Sequence, residues 1–365
     1  MAHYFQQRIS LKAALRPMLS LLFAMMTDAP ITALAQEKTP TKEYLRGFHE
    51  VVVSVRNLPA AMKFYQDVAG WEIAHFADAT PEQARLWGLK ESVRIEECLL
   101  RNKGDKHGWL RLIKFHVPDS LQRHIRSNAH AWDVGGIYDV NVRVKDMQAK
   151  LLQMDYAGWQ ASSDPHRYMF GKMDVEESVL RGPDGVVIAL IQRHAPPLEG
   201  FRNLREFSYI FNSTQIVGNM ETALDFYMNK LGFKIYMKSD NAANKEEENV
   251  FGLPHNINKT VKRSVVVLHP QGTNDGSVEL LHFEGLKGKN CAASAVPPNL
   301  GIFLLRFPVN DIEGYRKRIL AKGIRLERDL AEFECAPYGN VKMMAVRSPD
   351  GAVLEFFEAK GMTTE

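Results

Sequence analysis

The chain has little cysteine, no membrane-length apolar run and almost no excess charge, and each shortage removes a class of protein. Its three cysteines, Cys98, Cys291 and Cys335, lie far apart and in no C-x-x-C pair. Neither a zinc knuckle nor a disulfide scaffold is indicated, and at most one disulfide can form. The formal net charge is +3 over 365 residues, which gives no electrostatic footprint for nucleic acid or for an anionic membrane. No G-x-S-x-G, Walker-type loop or dinucleotide glycine fingerprint occurs, so hydrolase, nucleotide-hydrolysing and Rossmann readings have no support. With 45% hydrophobic and 24% charged residues, the chain can build packed domains and is not a disordered one. A small molecule is the default partner, and a homodimer is compatible with the same composition.

Acidic residues are also missing from the start of the chain. Before Asp28 there are none, while Arg8, Lys12 and Arg16 precede the apolar stretch Met18–Met26. Ala33-Leu34-Ala35 supplies a small-x-small cleavage pattern, so residues 1–35 read as a signal peptide cut before Gln36, giving a periplasmic or secreted protein. An organelle transit peptide is the alternative for so basic a leader. The apolar stretch is shorter than the roughly 20 residues a spanning helix needs. Removing three basic residues and one acidic residue takes the mature chain from +3 to +1.

What is present is a repeat. Phe48–Gly70, FHEVVVSVRNLPAAMKFYQDVAG, returns as Phe211–Gly232, FNSTQIVGNMETALDFYMNKLG, with Phe64-Tyr65 answered by Phe226-Tyr227 at an offset of 162. A period of that length signals duplicated domains; solenoid units run roughly 20–50 residues. Each copy alternates as a strand, turns and enters a helix. The strands Trp71–Phe76, Ile95–Leu100 and Trp109–His116 complete the first module.

A second module starts near Ile137 with YDVNVRVKDM and ends through Pro183-Asp184-Gly185, a hairpin signal, into Val186–Ile191. Ala195-Pro196-Pro197-Leu198-Glu199-Gly200 reads as a linker. The third module closes with Val278–Phe283. In the fourth, Val309-Asn310-Asp311-Ile312 answers Val144-Lys145-Asp146-Met147, and Ser348-Pro349-Asp350-Gly351 answers Gly182-Pro183-Asp184-Gly185. The charged stretch between Asn241 and Arg263, with Glu246-Glu247-Glu248, reads as a surface loop.

A strand ending in V-x-[DN]-[LMI], an [FY]Y-x-x-x-x-G helix end and a P-D-G turn before the last strand, recurring over residues 44–359, resemble the vicinal oxygen chelate superfamily of glyoxalases, extradiol dioxygenases and bleomycin resistance proteins. The resemblance implies an α+β fold in which four βαβββ modules pair into two cup-shaped mixed-sheet domains. Modules 1 and 2 would occupy 44–195 and modules 3 and 4 205–359, with 196–204 as linker.

The resemblance also implies metal-ligand positions. In the first domain they hold Glu50, Arg111, Asp139 and Ala189; in the second, Asn212, Glu279, Leu304 and Glu355. Arg cannot ligate and Ala has no donor, so the first cup is expected to be a salt-bridge cluster or a site for an anionic or hydrogen-bonding ligand, built from Glu50, Arg111 and Asp139. In the second, Glu279 and Glu355 are the catalytic candidates, with Asn212, Thr214 and Arg306 binding substrate. No residue is assigned as a metal ligand, although two Glu and an Asn are the set that would suit a divalent magnesium or manganese ion. His49 and His282 alternate away from the cup. Trp71, Trp109, Phe283 and Phe303 are stacking surface or core. The expectation is an exported protein that binds an aromatic or oxygenated molecule in the second cup. The alternative is a metal-dependent lyase, isomerase or ring-cleaving dioxygenase with an atypical ligand set.

Overall fold

Each of the four modules opens in the same way, and hydrogen bonding explains the V-x-[DN] signature. An Asx residue two or three positions beyond the first strand caps the helix that follows: Asn57 accepts from the amide of Ala60 at 3.1 Å, Asp146 from Ala149 at 3.0 Å, Asn219 from Thr222 at 2.8 Å and Asp311 from Gly314 at 2.9 Å. Each cap satisfies an amide that the first helical turn leaves without a partner. The computed structural model describes residues 45–127, 130–241, 249–360 and 362; the leader over 1–35 and the run Glu246–Glu248 lie outside the described residues.

Module 1 comprises β1 (Glu50–Ser54), α1 (Leu58–Asp67), β2 (Glu72–Asp78), α2 (Pro81–Leu86), β3 (Ile95–Arg101) and β4 (Trp109–Phe115). Module 2 follows with β5 (Asp139–Val144), α3 (Met147–Tyr156), β6 (Gln160–Ala161), β7 (His166–Phe170), β8 (Met173–Arg181) and β9 (Val187–Ala195). Asp184 (φ 59°) and Gly185 (φ 74°) turn β8 into β9 as the P-D-G reading expects. In module 3 are β10 (Asn212–Ile216), α4 (Met220–Leu224), β11 (Lys234–Asn241), α5 (His255–Asn258), β12 (Arg263–His269) and β13 (Ser277–Phe283). A π-helical turn, Asp225–Lys230, prolongs α4 and buries Phe226 and Tyr227. Module 4 holds β14 (Gly301–Pro308), α6 (Ile312–Ala321), β15 (Leu326–Glu334), β16 (Asn340–Arg347) and β17 (Val353–Ala359).

The modules pair differently from the expected order. One sheet runs β15-β16-β17-β14-β1-β4-β3-β2 and joins module 4 to module 1. The other runs β11-β12-β13-β10-β5-β9-β8-β6, with β7 on β8, and joins module 3 to module 2. The domains expected over 44–195 and 205–359 are therefore replaced by a 1–4 cup and a 2–3 cup. The described residues form one compact unit.

Charge matching accounts for the choice. In each cup the first strands of two modules lie antiparallel, with Glu50 opposite Arg306 and Asn141 opposite Asn212. The same register applied to neighbouring modules would put Glu50 opposite Asn141 and Arg306 opposite Asn212, so that the first strands would no longer match Glu50 to a cation. Buried charges are tolerated only when paired and hydrogen-bonded.

Neighbouring modules do meet through their helices. Phe64 of α1 stacks on Trp159 just after α3 at 4.8 Å, and Tyr315 of α6 donates to the carbonyl of Leu231 at 3.2 Å. One continuous apolar core, drawn from all four modules, fills this helical side. Cys98, Cys291 and Cys335 are buried and free. Trp71, Phe283 and Phe303 are buried, and no described helix is long and apolar enough to cross a membrane.

Candidate functional site

The two cups differ in whether their floor is sealed. In the 1–4 cup the inward residues of β1, β4, β14 and β17 neutralise one another. Glu50 Oε1 accepts from Arg111 Nε at 2.7 Å and from Arg306 Nη1 at 2.8 Å, and its Oε2 accepts from Arg111 Nη2 at 3.0 Å and from the Tyr338 hydroxyl at 2.6 Å. Arg111 also donates to Glu97 at 2.6 Å, and Arg306 to Glu355 at 2.6 Å. The other Glu355 oxygen accepts from the Trp87 indole at 2.6 Å.

Glu50, Arg111, Arg306 and Glu355 are each 0% exposed. Burial alone would raise the Glu50 pKa, but the two guanidinia outweigh it and hold the carboxyl at about 2. Trp87, carried just beyond α2, packs edge-on against Phe115 and Phe303 and caps this network. The result is the salt-bridge cluster expected for Glu50 and Arg111, here joined by Arg306 and Glu355 instead of Asp139.

The 2–3 cup is open. It encloses a cavity of about 610 Å³, a volume suited to a small organic ligand. On its floor, three adjacent strands put Asp139, Thr214 and Glu279 in one row, since Thr214 lies opposite both acids. One step away, Asn141, Asn212 and Ser277 form a second row. Thr214 N donates to Asp139 Oδ1 at 3.1 Å; Asn141 Nδ2 donates to Asn212 Oδ1 at 2.7 Å, and Asn212 Nδ2 to Ser277 Oγ at 2.7 Å.

Desolvation, opposed by hydrogen bonds from Thr214, pushes the Asp139 pKa up to about 7. Burial and the neighbouring charges of Asp139 and Glu177 push Glu279 up to about 8. Glu177 is also raised by burial, and it accepts a hydrogen bond from the Tyr168 hydroxyl. Three carboxyls thus share one cup with too few cations in contact to hold them ionised.

The structure therefore divides the expected site. Asp139, Asn212, Thr214 and Glu279 meet in the open cup, whereas Glu50, Arg111, Arg306 and Glu355 are sealed in the other. Asn212, Glu279 and Glu355 do not form one set, because Glu355 belongs to a different sheet. Sequence reasoning missed Asn141, Arg143, Tyr168, Glu177, Arg193 and Arg263, all of which line the cavity. The signal was the alternation Asp139-Val140-Asn141-Val142-Arg143-Val144, which turns every polar residue of β5 to one side. His49 packs edge-on against Trp109, and the His282 ring meets the Val217 carbonyl at 2.9 Å.

The divalent metal implied by the resemblance does not fit these residues. In the 1–4 cup Arg111 and Leu304 hold two of the four ligand positions and cannot ligate, and the other two, Glu50 and Glu355, are engaged by guanidinia. In the 2–3 cup Ala189 offers no donor, both ends of the Asn212 amide are engaged, and Asp139 Oδ1 already accepts two hydrogen bonds. Among the described residues no group of three or more His, Cys, Asp or Glu is arranged to hold a metal ion.

Comparison with known proteins agrees with the module plan. Residues 210–356 match the Glyoxalase/Bleomycin resistance protein/Dioxygenase superfamily. No curated protein sequence matches the chain. Glyoxalase I from Zea mays is similar in fold, with a TM-score of 0.57 at 16% identity over 87% of this chain and 93% of that one. A putative dioxygenase from Bacillus subtilis gives 0.53 at 12% identity over 86% of each chain. With four repeated modules and two cups of mixed sheet, the chain is similar in fold to these proteins, and its residues 210–356 match the Glyoxalase/Bleomycin resistance protein/Dioxygenase superfamily.

Proposed function

We propose that the protein binds a small oxygenated organic molecule in the 2–3 cup, on the floor made by Asp139, Thr214 and Glu279. The carrying observation is the contrast between the cups: the same scaffold positions are sealed by ion pairs in one and border a cavity of about 610 Å³ in the other. Asn141, Asn212 and Thr214 supply fixed donors and acceptors, and the upper walls are aromatic and thioether-rich, with Tyr168, Phe170, Met173 and Phe251. A thermal-shift screen of small aromatic and keto compounds against the wild type and Val265→Trp, which fills the cavity, tests this. Compounds that stabilise the wild type should fail on the variant; equal stabilisation of both would overturn the proposal.

One observation favours a metal-free isomerase or lyase over a passive binder. Asp139 at about 7 and Glu279 at about 8 flank one hydroxyl, so near neutral pH one carboxyl can hold a proton while the other accepts one. Paired groups with pKa values near the working pH suit proton transfer at a carbon beside a carbonyl. A ring-cleaving dioxygenase would need a metal-ligand set that these residues do not supply. Export through residues 1–35 is part of the same reading, and Gln36 at the N-terminus of protein from its native host is the expected result.

A further inference from the structure

We propose that the ligand of the 2–3 cup is an organic anion, an aryl or similarly apolar carboxylate, whose negative group is held by Arg143 with Arg193 beside it. This rests on the cup being the binding site and adds the chemical class of what it binds.

Arg143 is the third inward polar residue of β5 and is 6% exposed. Its guanidinium lies 4.3 Å over Phe211 and 5.7 Å over Phe201. Its Nε has no hydrogen-bond partner, and among the described residues no carboxylate forms an ion pair with it. Arg193, inward on β9, also has a buried Nε without a partner, and its Nη2 points at the Met173 sulfur at 2.7 Å. Arg263 lies 5.6 Å from the Phe251 ring across the cavity that all three arginines line.

The other cup shows how this chain neutralises buried arginines when no ligand is involved. Arg111 touches Glu50 and Glu97, and Arg306 touches Glu50 and Glu355, all between 2.6 and 2.8 Å. In the 2–3 cup the three carboxyls form no ion pair with the arginines among the described residues, although Arg143 and Arg263 act on Glu177 through space, and burial drives all three towards the protonated form. Burial and the neighbouring Arg193 lower the Arg143 pKa to about 10, which leaves it charged at neutral pH. An isolated buried cation is unfavourable. A guanidinium fork matches a carboxylate, and a body lying against Tyr168, Phe170 and Phe251 explains the aromatic walls.

The test uses 3-phenylpropionate and its neutral amide as probes in calorimetric titrations of the full chain. The wild type should prefer the acid by about tenfold or more, the scale of one charge-assisted hydrogen bond. Arg143→Met should reduce acid binding to the level of the amide, without lowering the melting temperature of the unliganded protein. The inference is overturned if the acid and amide bind wild type equally, if neither binds, or if Arg143→Met keeps the preference. Arg143→Lys, which keeps the charge but not the fork, should recover part of it. Val265→Trp separates the two levels. Acid binding lost in Val265→Trp but unchanged in Arg143→Met would sink only the anion inference. Acid binding unchanged in both would sink the cup itself as the site.

Discussion

Glu50 and Arg306 are 256 positions apart in sequence and hydrogen-bonded at 2.8 Å inside one cup. This bond ties the first module to the fourth, and through Arg111 and Glu355 it becomes a network with no exposed member. Removing the charge at its centre leaves two guanidinia short of a counter-ion. Glu50→Gln should therefore cost about 3–5 kcal/mol of stability, the range for breaking a buried pair from one side. Denaturant unfolding checks this, and a loss below about 1 kcal/mol, typical of surface pairs, would show that the network is not what closes the cup.

The two cups should respond to pH with opposite signs. The folded pKa values of Asp139 and Glu279, about 7 and about 8, lie above the ordinary 3.8 and 4.5, so the folded state holds protons that the unfolded chain has released. Their contribution is complete below about pH 4 and is lost as pH rises, at about 1.4 kcal/mol per pH unit for each group until its folded pKa is passed. Glu177, Tyr168, Arg143, Arg193 and Arg263 share that cavity and stay in place in the comparison. An Asp139→Asn, Glu279→Gln double variant should flatten the decline between pH 5 and 8 in urea melts. Glu50, held at about 2 against an ordinary 4.5, works the other way, and its stabilisation disappears as pH falls from about 4 towards 2.

Divalent metal should not change the protein. Ala189 and the engaged amide of Asn212 leave Asp139 and Glu279 without the further donors a magnesium, manganese or zinc site needs. Adding each ion in turn should leave the melting temperature where it was. A rise that saturates with one ion per chain, and that is lost in Glu279→Gln, would show that the donor set had been misjudged.

Local structure was legible because its signals are local. The Asx caps, the P-D-G turn and the period-two strands each depend on a few neighbouring residues, and they appear where the sequence puts them. Pairing of the modules was not legible, since all four first strands carry the same signature. The choice lies in long-range matches such as Glu50 with Arg306 and Asn141 with Asn212. Helix α2 escaped because the repeated motifs do not extend over it and its counterpart α5 differs in sequence and length, although Thr80, Pro81 and Glu82 spell a helix start and Thr80 Oγ1 accepts from the Gln83 amide at 3.3 Å. With it went Trp87, the residue that seals Glu355. Half of the candidate site was visible through the family's ligand positions, but its arginines were not, because those positions say nothing about Arg143 or Arg193.

One cup is open to a ligand and the other is sealed by ion pairs. Chemical-shift mapping on deuterated, nitrogen-15-labelled protein tests this directly, using whichever compound gives the largest thermal shift. The largest changes should fall on the amides of β5, β10 and β13, around Asp139, Thr214 and Glu279, with those around Glu50, Arg306 and Glu355 unmoved. Changes centred on β1, β14 and β17 would contradict the account.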